Sequence, residues 1–186
     1  MPFKHNPFST KFWTPGAIPF RFAEETESCE WLVAEFERHG GGQIVGPHGS
    51  GKSTLIESLK KVFQQDGYDV RHVMLNDRNR RLPNGFSTDL PQNTSVRIID
   101  GFEQLPLWRR WQLHWQFPGR FLIVTHRPMA RLPILYQTVP RFEVFVELVR
   151  QLAEENIDND EELHRLFKST HGNFRDALMT LYETFV

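Results

Sequence analysis

The chain has 186 residues, 39% of them apolar and 24% charged, and a net charge of −1, the profile of an ordinary globular protein with no global field to recruit nucleic acid, which leaves only a local basic patch for that role. The lone Cys29 excludes an internal disulfide and points to a reducing compartment. No apolar stretch approaches the roughly 20 residues that span a bilayer, and the start, MPFKHNPFST, has no apolar signal region, so the expected location is cytoplasmic, away from membranes.

Residues 1–25 form an aromatic, irregular arm, because four prolines in the first 19 residues leave no room for a long helix. Cys29, Leu32, Val33 and Phe36 then fall at helical spacing within 26–38, and Gly40 to Gly42 stop that helix. QIVG (43–46) reads as a short strand. Lys52 to Gln65 carries Leu55, Ile56, Leu59, Val62 and Phe63 on one helical face. DVRHVML (69–75) reads as a second strand, 76–94 as a polar loop, SVRIID (95–100) as a third strand, and 105–116 as a helix. RFLIVTH (120–126) is a fourth strand and YQTVP (136–140) a short fifth.

Beyond Arg141 the periodicity is helical only. Positions 145, 148, 149 and 152 define one helix, 163, 166 and 167 another, and 174, 177, 178, 181, 182 and 185 a third. Strands alternating with helices imply an α/β architecture, a mostly parallel five-stranded sheet covered on both faces. The closing helices imply a small lid. The expected organisation is an arm (1–25), a core (26–140) and a helical lid subdomain (141–186).

GPHGSGKS (46–53) matches G-x-x-x-x-G-K-[ST], with an apolar strand before it and an amphipathic helix after it. The glycines let the backbone curl so that its N–H groups face inward, where they and the helix N-terminus bind phosphate oxygens. Gly46, Pro47, His48, Gly49, Ser50, Gly51 and Lys52, with Ser53 and Thr54 opening the helix, are the candidate nucleotide contacts. Lys52 is expected at the β- and γ-phosphates and Ser53 at Mg²⁺. The absence of an Asn-Lys-x-Asp stretch favours adenine over guanine. The arm's rings (Phe8, Phe12, Trp13, Phe20, Phe22) either cover the base or seal the sheet edge.

Val96, Ile98 and Ile99 lead into Asp100, which ends a parallel strand where carboxylates face the ligand crevice; it is the second candidate metal residue, opposite Ser53. Gly101 follows where many ATPases carry a water-activating glutamate. The first glutamate is Glu103. Either the Gly101 turn returns it toward the attacking water, or it is an ordinary first-turn glutamate favoured by the helix dipole.

The order of the phosphate loop, RIIDGFEQL, FLIVTHRP and GNFRDALMTL resembles AAA+ and related STAND-type P-loop ATPases. DGFEQL is similar to the Asp-Gly-x-Asp-Glu segment of the NACHT-like group, VTHRP to its Thr-Ser-Arg-Pro, and HGNFRDAL to the Gly-Asn/Asp-x-Arg stretch of an AAA+ lid helix. The resemblance implies the three-layer P-loop NTPase fold, with ATP and Mg²⁺ as cofactors. It makes Thr125 or His126 a polar sensor of the γ-phosphate, Arg127 a nucleotide contact, and Arg175 a lid arginine that couples lid position to the phosphates. The bland alternatives are a solvent-facing His126 and a surface ion pair of Arg175 with Asp176 or Glu183.

Two other stretches bear on partners. Arg78, Arg80 and Arg81 fall in the 76–94 loop, read as solvated or as contacts to an acceptor or a nucleic acid backbone. Trp108, Trp111 and Trp115 share a helical face and are expected to pack on the sheet; the alternative is a partner surface, with Arg109 or Arg110 acting across an interface. The expected function is slow MgATP hydrolysis coupled to lid movement, with ATP and ADP as ligands and a protein partner or self-association. The alternatives are a non-hydrolysing ATP-dependent switch and a small P-loop kinase.

Overall fold

A computed structural model describes residues 6–86, 94–116, 120–129, 132–154 and 159–184, excluding the side chains of 114–116. By packing, the chain forms two compact units. One comprises Met1–Arg21, Pro47–Leu55 and Thr138–Val186, and the other Phe22–Gly46 and Ile56–Gln137.

The second unit is built on a five-stranded sheet in the order β2-β3-β4-β1-β5. The strands are β1 (Gly42–Val45), β2 (Asp69–Met74), β3 (Ser95–Asp100), β4 (Phe121–Thr125) and β5 (Ile134–Gln137). Every adjacent pair is parallel, with Gly42 opposite Leu122, Arg97 opposite Phe121 and Asp69 opposite Ser95. β1 and β4 are buried along their whole length, which is why they read as short, nearly continuous apolar runs rather than alternating ones. β5 lies two residues earlier than YQTVP suggested: Leu135 and Tyr136 are its buried pair, and Pro140 has no N–H to offer a ladder.

From β1 the chain passes through α2 (Lys52–Gln65) to β2 at the far edge. It then steps back through β3 and α3 (Leu107–Gln116) to β4, and on past β1 to β5. Right-handed crossovers running in opposite directions require α2 and α3 to cover opposite faces of the sheet. The exits of the neighbours β1 and β4 therefore diverge, the arrangement known as a topological switch point. α1 (Cys29–His39) starts at Ser28, whose hydroxyl accepts from Trp31 N, and ends at Gly40 in the left-handed conformation. Phe36 of α1 and Phe63 of α2 meet edge to face, their centroids 5.1 Å apart.

The first unit is helical. α4 (Phe142–Leu152), α5 (Asp160–Ser169) and α6 (Phe174–Thr184) bury Phe145, Val149, Leu163, Ala177 and Leu178 in one cluster. Phe8 of the arm is fully buried in this cluster and Trp13 packs against it. The arm is held by Asn6 Nδ2 donating to Tyr182 O at 2.7 Å and by Arg21 paired with Glu147 at 2.7 Å. Of the two roles expected of the arm's rings, covering the base or sealing the sheet edge, only the second is seen, and only for one ring. Phe22 lies edge-on to Tyr136 of the edge strand, 5.4 Å between centroids, so it seals the sheet. Phe8 and Trp13 instead complete the helical core.

The tryptophan stripe corrects the sequence reading. Trp108 is 69% and Trp111 62% exposed, whereas Leu113 is buried with Phe102 and Leu105. Residues 108 and 111 share a face of a helix and 113 lies roughly 140° away from 108, so burying Leu113 turns the indoles outward. The side chain of Trp115 lies outside the described residues. No helix among the described residues is long and apolar enough to cross a membrane.

Candidate functional site

Each unit carries one cluster of the expected site residues. In the helical unit it is the glycine-rich loop. Gly49 (φ 69°) and Gly51 (φ 89°) are both left-handed, a conformation that costs most other residues about 1–2 kcal/mol. Lys52, itself 7% exposed, curls back so that its Nζ donates to Pro47 O at 2.6 Å. Ser50 Oγ donates to Pro47 O at 2.9 Å and lies 2.6 Å from the buried Thr138 hydroxyl. Leu55 N donates to Gly51 O at 2.9 Å, closing the first turn of α2, where Ser53 and Thr54 sit half-buried. Pro47 and His48 are exposed.

The start of α6 is lodged against this loop. A Cβ built on Gly49 would fall 1.7 Å from Asn173 Oδ1, and Phe174 N donates to Gly49 O at 3.3 Å. The same Asn173 oxygen caps α6 by accepting from Arg175 N at 3.1 Å and Asp176 N at 3.3 Å. Arg175 is therefore on the first turn of the helix whose cap touches the loop, and its side chain is exposed. Asp176, one of its suggested surface partners, accepts from Asn173 Nδ2 at 2.6 Å. The Phe20 ring closes another side, 3.1 Å from where a Gly51 Cβ would stand. Beside Pro47 opens a cleft of about 320 Å³ lined by Pro140, Phe167, Lys168, His171 and Gly172.

In the sheet unit the cluster lies at the carboxyl ends of β3 and β4. Asp100 ends β3, and its backbone oxygen accepts from Leu75 N at 2.8 Å. Gly101 takes φ 76°, and a Cβ there would be 2.4 Å from Leu75 O, so this position is restricted to glycine. The turn runs into a single 3₁₀ turn, Phe102–Gln104, rather than directly into α3. Phe102 is buried and Glu103 is directed to His126, with Nε2 to Oε1 3.2 Å. Its other oxygen, Oε2, is buried without a hydrogen-bond partner. Glu103 stands in the first turn of the 3₁₀ helix, as the plainer of its two readings expects, but its carboxylate is not free in solvent.

His126 is not a solvent-facing strand end either. It is half-buried, and its Nδ1 lies 3.2 Å from Gly46 O at the end of β1. Thr125 is buried, with its hydroxyl donating to Arg127 O at 2.7 Å, and the Arg127 side chain is exposed. Arg110 is occupied within its own turn: Nε donates to Leu105 O at 2.7 Å and a terminal nitrogen to Glu103 O. It braces the 3₁₀ turn, which accounts for it without an interface. Arg109 stands over the Trp108 ring at 5.8 Å. Arg78, Arg80 and Arg81 are exposed, with Arg80 paired to Asp77 at 2.7 Å; residues 87–93 of that loop lie outside the described residues.

Sequence reading passed over three residues. Gln43, fully buried in β1, donates to Met129 O and Leu132 O at 2.9 and 2.8 Å and accepts from Met129 N at 2.8 Å. It pins the chain that follows β4. Its signal was a long polar side chain in an otherwise apolar buried strand, which must find partners. Asn173 stood inside HGNFRDAL, but neither its cap on α6 nor its seat on Gly49 was read from it. Thr138 had no signal beyond its place after β5.

As a donor set, two left-handed glycines, a helix N-terminus and a buried ammonium suit an anion. Among the described residues no group of three or more His, Cys, Asp or Glu could hold a metal ion. Mg²⁺ in nucleotide sites is held by one or two side chains plus substrate phosphates rather than by a protein cage. No protein-family model matches the chain, and no curated protein matches it.

Proposed function

We propose that the chain is a P-loop NTPase of the AAA+/STAND type that binds MgATP, hydrolyses it slowly to ADP and phosphate, and couples nucleotide state to its C-terminal helices. The observation that carries this is the loop itself. Left-handed Gly49 and Gly51 curl the backbone after a parallel strand, and Lys52 folds over the curl where α2 begins. Support comes from the sheet order, which places the root of this loop beside β4 at the topological switch point.

In this reading the loop amides and Lys52 bind the phosphates, and Ser53 and Asp100 would hold Mg²⁺, which when bound neutralises charge on the transferred group. Glu103 is the candidate acceptor of the attacking water's proton. Thr125 ends β4 and His126 follows it, so both are candidates to sense the γ-phosphate. Arg127 and Arg175, both exposed, remain able to reach an anion. The seat of Asn173 on Gly49 supports coupling, because any change in the loop's curl is felt by the cap of α6. The exposed Trp108–Trp111 face supports a protein partner or self-association.

The test is phosphate release from MgATP by the purified chain beside Lys52→Ala and Glu103→Gln. The proposal expects turnover by wild type and loss of it in both variants, with Glu103→Gln still binding ATP. Acceptor-dependent ATP consumption would instead select a kinase, and tight binding with no release would select a switch.

A further inference from the structure

We propose that the outward face of α3 is a docking surface for another protein, and that the partner lays on it an apolar segment flanked by acidic side chains. The inference names the partner left open above and rests on that part of the reading alone, not on hydrolysis. Leu107 is 69% exposed and joins the two outward indoles, Trp108 and Trp111. Positions 107 and 111, and 108 and 111, are neighbours on a helix surface, so the three side chains form one apolar patch. The opposite face fixes its direction, because Leu113 is buried with Phe102 and Leu105. A contiguous exposed apolar patch beside charge marks an interaction site.

The charge beside the patch is of one sign. The Arg109 guanidinium stands over the Trp108 ring at 5.8 Å and donates to Gln112 Oε1, a neutral acceptor. Arg110 donates to the Leu105 and Glu103 carbonyls, while the Glu103 carboxylate faces His126. Elsewhere the chain neutralises its arginines locally, as in Arg21 with Glu147, Arg80 with Asp77 and Arg150 with Asp160. Among the described residues no carboxylate pairs with Arg109 or Arg110. No Asp or Glu occurs in the sequence between Glu103 and Glu143. The exposed Arg127 adds the same sign at the sheet end where α3 starts, since β3 and β4 are parallel neighbours.

Trp and Arg without Lys, Asp or Glu is the composition of the centre of a protein interface. Charge complementarity then places carboxylates on the partner. A single-stranded nucleic acid would also stack on indoles, but it is gripped by a run of cations along its backbone. The aliphatic Leu107 offers no ring to stack on, the stretch from Gln104 to Phe142 holds no lysine, and the pI of the chain is about 6.7. The observations therefore favour a protein.

The experiment is selection of peptides from a random displayed library on the full wild-type chain, with their affinities then read by fluorescence anisotropy. The expected peptides carry apolar residues at helical spacing with an excess of Asp and Glu. Their binding should weaken on the order of 10–100-fold in Trp108→Ala and in Trp111→Ala, as at an interface hot spot. Arg109→Gln should weaken it less, chiefly through the association rate at low salt. Peptides without an acidic excess, or none whose binding depends on Trp108 or Trp111, overturn the proposal. So does an oligothymidylate strand that binds the face more tightly than the selected peptides, which makes it a nucleic acid site. A wild-type dimer in sedimentation that Trp108→Glu dissociates also overturns it, because a second copy is then the occupant. Lys52→Ala should bind the peptides as wild type does. A chain that selects acidic peptides but fails to bind MgATP refutes the nucleotide reading and leaves this one standing.

Discussion

Two glycine turns do different work in this chain. In the helical unit, Gly49 and Gly51 shape a backbone curl over which Lys52 folds, and the groups proposed to work there are main-chain N–H donors and that ammonium. In the sheet unit, Gly101 shapes nothing that binds directly. It frees the chain to turn after Asp100 so that a side chain two residues later reaches His126. A site made of backbone is specified by the few residue types that permit its curl. A site made of aimed side chains is specified by the neighbours that hold them, and those are scattered through the sequence.

Alanine at each glycine breaks the comparison most sharply. At Gly101 the added Cβ meets backbone, Leu75 O, at 2.4 Å, and at Gly49 it meets the end of a side chain, Asn173 Oδ1. Gly101→Ala should therefore cost about 1–3 kcal/mol of stability, as enforced backbone strain does, and more than Gly49→Ala. Urea denaturation orders the two. Gly49→Ala should be the more harmful to ATP affinity, read by titration calorimetry, so that stability and binding rank the pair in opposite orders.

Asn173→Ala comes next. It removes the α6 cap while leaving every loop residue in place, for a loss of about 1 kcal/mol in thermal or urea unfolding. A loss confined to stability would place Asn173 outside the coupling; a loss that shrinks when ATP is added would place it inside.

The acid limb of stability tests the sheet unit. Burial foremost, with Lys60 second, holds the His72 imidazole below its ordinary value, against the opposing pull of Asp100 and of Glu57 at 3.8 Å. The folded state thus disfavours the charged ring. The stability His72 contributes is complete above the unfolded value near 6.5 and is lost as pH falls through the lower folded value. His72→Gln should flatten the decline of Tm on the acid side of neutrality and leave the alkaline side unchanged. The smallest effect belongs to the outward indoles: Trp108→Ala should change stability by no more than about 0.5 kcal/mol, as exposed positions do. A larger loss would mean that the face is covered in solution.

How much of this was legible follows from the same contrast. The parallel sheet, α2 and the three closing helices could be read from periodicity, because burial imposes a period on each element. The loop was legible because backbone curl demands glycine at fixed spacing. Glu103 was legible only as a choice between two roles, since its direction depends on a histidine that follows another strand. Gln43 and Asn173 escaped because their partners are more than 80 residues away in sequence or, for the seat on Gly49, 1.7 Å from an atom that glycine lacks. The tryptophan stripe misled because a period says which residues share a face, not which face is turned inward.

The central claim is that the loop at 46–53 grips nucleotide phosphate, and the most direct measurement is MgATP binding to the wild-type chain beside Lys52→Ala by titration calorimetry. Removing a charge-assisted contact worth about 1.5–3 kcal/mol should weaken binding on the order of 10–100-fold, with both proteins equally folded by circular dichroism. Equal affinity in the two, or no MgATP binding by a folded wild-type chain, would contradict it.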